Sequence, residues 1–206
     1  MLCFLKKFII TLRKGEFTVY NEYIEILKSR LNVKRFYHSV CVADEAKRLA
    51  EKYGADVEKA YLAGLLHDIT KNSDKDEHLQ IFSQFGIMLS DIEKNAEKLW
   101  HAISGAAYVE NILKIDDSEI ISAIRYHTTA KADMTLLGKI IYLADFTSAD
   151  RDYDDVSVIR QYVDESLDKA FIYALQYSIC DLVNNKKCVH EDTLAAFNQA
   201  VSIGGK

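Results

Sequence analysis

A chain of 206 residues, 49% apolar and 28% charged, is long enough to bury one substantial core and too apolar to stay disordered. Its formal charge of -5 argues against the broad basic face that a nucleic-acid partner requires, while a small anionic ligand needs only local cations. Cys3, Cys41, Cys180 and Cys188 form no C-x-x-C pair, so they read as reduced thiols of a cytoplasmic protein.

In chain order, residues 1–18 read as an N-terminal appendage. The first ten are apolar but interrupted by Lys6 and Lys7, too short to span a bilayer and without a signal-peptide cleavage site, so no membrane partner is expected. Residues 19–206 read as one domain, an all-α helical bundle, because the apolar spacing is helical throughout. There is no proline, so helices must stop at Gly, Asn and Asp. The positions Phe36, Val40, Ala43, Ala46, Leu49, Ala50 and Tyr53 predict a helix ended by Gly54. A second starts near Asp56 and runs into His67 and Asp68. Further helices are expected over 74–85, stopped by Gly86, over 91–100 and over 101–113. Asp116 and Asp117 offer caps for a helix over 118–127. The apolar run 136–146 reads as helix, since no second strand exists for it to pair with. One long helical segment over 155–184 and a last helix over 193–203 complete the bundle.

An imidazole and a carboxylate ending the apolar run 61–66 need a reason, and a metal is the reason the rest of the chain supports. His38 lies upstream and Asp145 downstream at the end of the run 140–144. Together His38, His67, Asp68 and Asp145 make a mixed nitrogen and oxygen set suited to iron, manganese, cobalt or zinc rather than calcium. Four ligands of a six-coordinate sphere leave room for water and a substrate oxygen, as hydrolysis requires. Arg35, three residues before His38, shares its helical face and so aims a guanidinium at the same cleft. Lys71, three after Asp68, reaches toward that cleft or answers the helix dipole. Arg151 is the candidate to neutralise a leaving group, the alternative being a surface pair with Asp150 or Asp152. His101 and His127 stand at helix ends, where they can ligate a second metal or donate to phosphates beside Thr128. His78, in a charged helix, is expected to be solvent-exposed.

The stretches AGLLHDITK (63–71), HAISGA (101–106), AIRYHTT (123–129) and KIIYLAD (139–145) resemble the HD-domain superfamily of metal-dependent phosphohydrolases, and within it the YqeK-type family. That family splits diadenosine tetraphosphate symmetrically into two ADP at an iron-bearing site. The resemblance, covering about residues 19 to 203, implies iron first, with manganese or cobalt as alternatives. It implies a dinucleoside polyphosphate substrate with ADP- or GDP-type products, and leaves a homodimer open. Catalytic roles would fall to Asp68, Lys71 and Arg151, with Asp68 orienting water. His101 and His127 would contact substrate rather than a second ion. Arg35, His38, Asp68, Thr128, Asp145 and Arg151 would line the nucleotide site. The turn Cys188, Val189, His190, Glu191, Asp192 and Thr193 would touch the nucleotide, although by chemistry alone it is a helix cap. The chain departs from the family pattern at Ser148 and Ala149, where Glu and Pro are usual, and at Glu191, where Pro is usual. A nucleotidase of the same superfamily and a non-catalytic nucleotide sensor are the alternative functions.

Overall fold

The computed structural model describes residues 17–204, so residues 1–16 of the expected appendage lie outside the described residues. The described residues form helices and turns with no strand, as the sequence pattern implies: α1 (Phe17–Arg30), α2 (Val33–Tyr53), α3 (Val57–Leu66), α4 (Lys75–Gln84), α5 (Asp91–Asn95), a 3-10 turn (Glu97–Leu99), α6 (Trp100–Asn111), α7 (Ser118–Arg125), α8 (Leu136–Thr147), α9 (Val156–Glu165), α10 (Leu167–Asn184) and α11 (Glu191–Gly204).

Caps explain most boundaries. The Asn32, Asp56, Asp74, Asp117 and Thr135 side chains each accept from backbone N–H groups of the following first turn. Gly54 ends α2 at φ 75°, a left-handed conformation that costs a residue with a Cβ but not glycine. Three expectations need correction. The segment 155–184 is two helices, because Ser166 turns to extended backbone (φ -159°, ψ 128°) and its hydroxyl caps α10 by accepting from Lys169 N. The stretch 91–100 is the short α5 opened by a Ser90–Glu93 capping box, then the 3-10 turn, with α6 already begun at Trp100. The last helix starts at Glu191 rather than Thr193.

The core gathers Val42, Ala46 and Leu49 of α2, Leu65 and Leu66 of α3, and Ile140, Ile141 and Leu143 of α8. α2 packs on both α3 and α8, and α3 on α7 and α8. The α2–α3 crossing is as close as backbones allow: a Cβ on Gly64 would lie 2.9 Å from Ala43 Cα. A smaller apolar group, Phe82, Trp100 and Ile103, joins α4 to α6.

Candidate metal centre and its cationic rim

The tightly packed trio α2, α3 and α8 brings the four expected ligands into one neighbourhood. His38 sits on α2, His67 is the C-cap of α3 with Asp68 next, and Asp145 is near the end of α8. His38 Nε2 is 2.9 Å from Asp145 Oδ1 and 4.0 Å from Asp68 Oδ2. His67 Nε2 is 3.4 Å from Asp68 Oδ2 and 3.9 Å from Asp145 Oδ1. One ligand atom from each of His38, His67 and Asp145 lies within 4.8 Å of the others, and the same holds for His67, Asp68 and His127.

The outer ring nitrogens show what the inner ones offer. His67 Nδ1 donates to the Gly64 carbonyl at 2.7 Å, and a carbonyl only accepts, so the proton is on Nδ1 and Nε2 presents a lone pair. That Nε2 is buried and makes no hydrogen bond. His127 Nδ1 donates likewise to the Ile124 carbonyl at 2.7 Å. His38 Nδ1 donates to Asp150 Oδ2 at 2.8 Å, and Asp150 is in turn held by the Ser148 hydroxyl at 2.8 Å. Imidazoles locked from behind, with an orphaned lone pair in front and two carboxylates opposite, are a donor set that fits a transition metal. Asp150 was legible in the sequence only as a salt-bridge partner for Arg151; its part in orienting His38 follows from the loop after α8. Ser148 supplies that anchor from a fully buried position, and Ala149 is exposed.

The electrostatics are those of carboxylates set among cations and imidazoles. Burial pushes the Asp68 carboxyl up, but His67, His101 and His127 outweigh it and hold the group well below the usual range. Asp145, also pushed up by burial, is held well below it by His38, Arg151 and His67. Burial likewise opposes the fall of Asp150 to about 2, which His38 and Ser148 produce. Burial lowers His67, and lowers His101 to about 4 with help from Lys71, so both imidazoles stay neutral.

Around this centre lies a rim of groups able to bind phosphate. Arg35 Nη1 donates to Asp68 Oδ2 at 2.7 Å. The Arg151 guanidinium pairs with the Asp145 carboxylate, and its Nε donates to the Asp145 carbonyl at 2.6 Å, rather than pairing with Asp150 or Asp152 at the surface. Arg160 steadies the same loop by donating to the carbonyls of Thr147, Ser148 and Arg151. Lys71 Nζ is 3.8 Å from Asp68 Oδ1 and 3.0 Å from His101 Nε2. His101 Nε2 lies 3.2 Å from both Asp68 Oδ1 and His127 Nε2. The Thr128 hydroxyl is buried without a hydrogen-bond partner.

The C-terminal turn reaches this rim through side chains. Thr193 Oγ1 donates to the Thr129 carbonyl at 2.7 Å. His190 accepts from Asp192 N and turns Nε2 to within 3.7 Å of Glu93, which also pairs with Arg125. Among the described residues, no hydrogen bond or ion pair ties Cys188, Val189, Glu191 or Asp192 to the imidazole cluster; Cys188 and Glu191 are exposed. His78 is not exposed as expected: its Nδ1 meets the Ser104 hydroxyl at 2.8 Å, and it sits between Phe82 and Trp100 on the inward face of α4.

Residues 35–150 match the HD domain family model. The chain is 35% identical over 181 residues to the symmetrical bis(5'-nucleosyl)-tetraphosphatase of Bacillus subtilis (strain 168), covering 88% of this chain and 97% of that protein. It is 36% identical over 176 residues to the protein of the same name from Halalkalibacterium halodurans, covering 85% and 94%. The structure superposes with a TM-score of 0.86 and 34% identity on a crystal structure from Clostridium acetobutylicum, described as a predicted HD superfamily hydrolase involved in NAD metabolism, over 89% of this chain and 97% of that one.

Proposed function

The chain belongs to the HD domain family, and on that premise we propose that it hydrolyses dinucleoside tetraphosphates symmetrically, splitting diadenosine tetraphosphate with water into two ADP. The observation that carries this reading is the pair of clusters that meet at His67, one with His38 and Asp145 and the other with Asp68 and His127, with Arg35 and Arg151 already bonded to the two carboxylates. His38, His67, Asp68 and Asp145 would hold a divalent cation, iron first with manganese or cobalt next, which would supply hydroxide at neutral pH and neutralise charge on phosphorus oxygens. Asp68 orients the attacking water. Arg35 and Arg151 each keep N–H donors beyond their carboxylate bonds, and a guanidinium can fork those onto phosphate. Lys71, His101 and the unpartnered Thr128 hydroxyl extend the same anion-binding rim. His190 and Thr193 position the start of α11, whose free N–H groups suit a polar nucleotide edge. The acidic net charge and exposed thiols Cys180 and Cys188 support a cytoplasmic nucleotide enzyme with no nucleic-acid partner.

Incubation with a panel of nucleotides and chromatography of the products tests this. Diadenosine tetraphosphate should give ADP alone and diguanosine tetraphosphate GDP alone; ATP with AMP, or no cleavage, overturns the reading.

One observation favours a second reading at His127. With Nδ1 donating to Ile124, a neutral His127 offers a lone pair at Nε2, which ligates a metal but cannot donate to phosphate. Metal stoichiometry decides: one ion per chain, unchanged in His127→Ala, supports a phosphate contact, and loss of a second ion supports a dinuclear centre.

A further inference from the structure

A symmetrical substrate has two equal arms, each a nucleoside with two phosphates, and they leave the cleaved bond in different directions. The rim of Arg35, Arg151, Thr128 and the turn before α11 accounts for one arm. We infer that the other lies in the cavity on the far side of His101, with Lys75 and Lys98 as its phosphate-binding residues, an assignment that rests on the symmetrical-hydrolase reading above.

The cavity measures about 510 Å³ and is lined by Lys71 and His101, which also stand beside Asp68, so it adjoins the metal centre across those two side chains. Its size falls within the range of small-molecule sites. Lys75, Glu97, Lys98 and Trp100 complete the walls that matter here. Three ammonium groups thus face a single carboxylate. Lys98 has no carboxylate partner among the described residues. Lys75 pairs with Glu97, but the two side chains are 58% and 56% exposed, and an ion pair so wetted gives way readily to a stronger anion. A phosphate chain running past Lys71 meets Lys75 and Lys98 next. Trp100 backs the lysines from below: its ring is buried against Phe82 and His78, and Lys75 Nζ stands 5.5 Å from the ring centre, which holds that ammonium at the cavity wall. None of Lys75, Glu97 or Lys98 touches a candidate metal ligand, so this cavity adds recognition of the second arm and leaves the chemistry to the centre.

Two measurements test the assignment, one of them without turnover. In equilibrium dialysis of metal-loaded protein against ADP, wild type should take up two molecules per chain and the double variant K75A/K98A one. In initial-rate kinetics with diadenosine tetraphosphate, K75A/K98A should raise KM about tenfold, as expected for losing charged phosphate contacts, with a smaller fall in kcat. The variant K75R/K98R should restore both. Because both lysines are exposed, circular dichroism should stay that of wild type. One ADP per wild-type chain, or an unchanged KM in K75A/K98A, overturns the second-arm site even if two ADP remain the products. Products other than two ADP remove the reading of function instead, while the ADP stoichiometry still judges the cavity.

Discussion

The two sides of this site are held by different physics. His38, His67 and Asp145 stand on helices buried against one another, with α2 and α3 in backbone contact at Ala43 and Gly64, so apolar packing sets their spacing. The start of α11 reaches the rim through a few polar contacts, the hydrogen bond from Thr193 to the Thr129 carbonyl and the approach of the otherwise unbonded His190 Nε2 to within 3.7 Å of Glu93, which pairs with Arg125. Close packing barely yields, whereas a hydrogen-bonded tie can be cut at small cost in stability. Metal retention should therefore follow core packing, and nucleotide affinity should follow the ties.

The largest effects should come from the ligands. His67→Ala or Asp68→Ala should abolish metal retention and turnover while the far-ultraviolet circular dichroism stays helical; full metal in Asp68→Ala by elemental analysis removes the site assignment. Next comes Asp150→Ala, which frees His38 to turn and should weaken metal affinity about 10- to 100-fold. Competition with a chelator measures it, and wild-type affinity would show that packing alone orients His38. Gly64→Ala drives a methyl into Ala43 and should lower stability by about 1–3 kcal/mol in urea unfolding while weakening metal binding. Retention of full metal in a destabilised Gly64→Ala would separate the ligand spacing from the helix crossing.

On the other side, Glu93→Gln should raise nucleotide KM severalfold and leave metal content normal. Burial pushes the Glu93 carboxyl up, but the Ser90 N–H and Arg125 hold it below its ordinary 4.5. Its contribution to stability is thus present above that value and lost as pH falls through the lower folded value. The gap between wild type and Glu93→Gln should accordingly narrow in unfolding curves taken at falling pH. The smallest change is Thr193→Val, at about 1 kcal/mol for one neutral hydrogen bond, visible in KM and not in bound metal.

The sequence carried the parts of this molecule that are written locally. Asp56, Asp74 and Asp117 announce helix starts, Gly54 and Gly86 announce stops, and the His–Asp pair at an apolar helix end points to a cluster able to bind metal, whereas the cap at Asn32, upstream of Phe36, is not marked by the apolar pattern. What stayed hidden depends on which face turns inward. The charges around His78 describe α4 as a surface helix, yet Ile81, Phe82 and His78 share its buried stripe. Ser166 breaks a helix with no glycine or proline to mark it, because its hydroxyl replaces the lost backbone bond. Asp150 lies beside an arginine in sequence but bonds a histidine 112 residues away.

The span between His38 and Asp145 also bears on folding. A cation gripping both would tie the first long helix to α8 and close a loop over more than half the chain, a closure the unfolded chain would have to make at entropic cost. An ion that binds only the folded bundle raises its stability by mass action, about 2.7 kcal/mol at a hundredfold excess over Kd. The centre then serves as a staple as well as a reagent, and the melting temperature becomes a gauge of occupancy that needs no substrate.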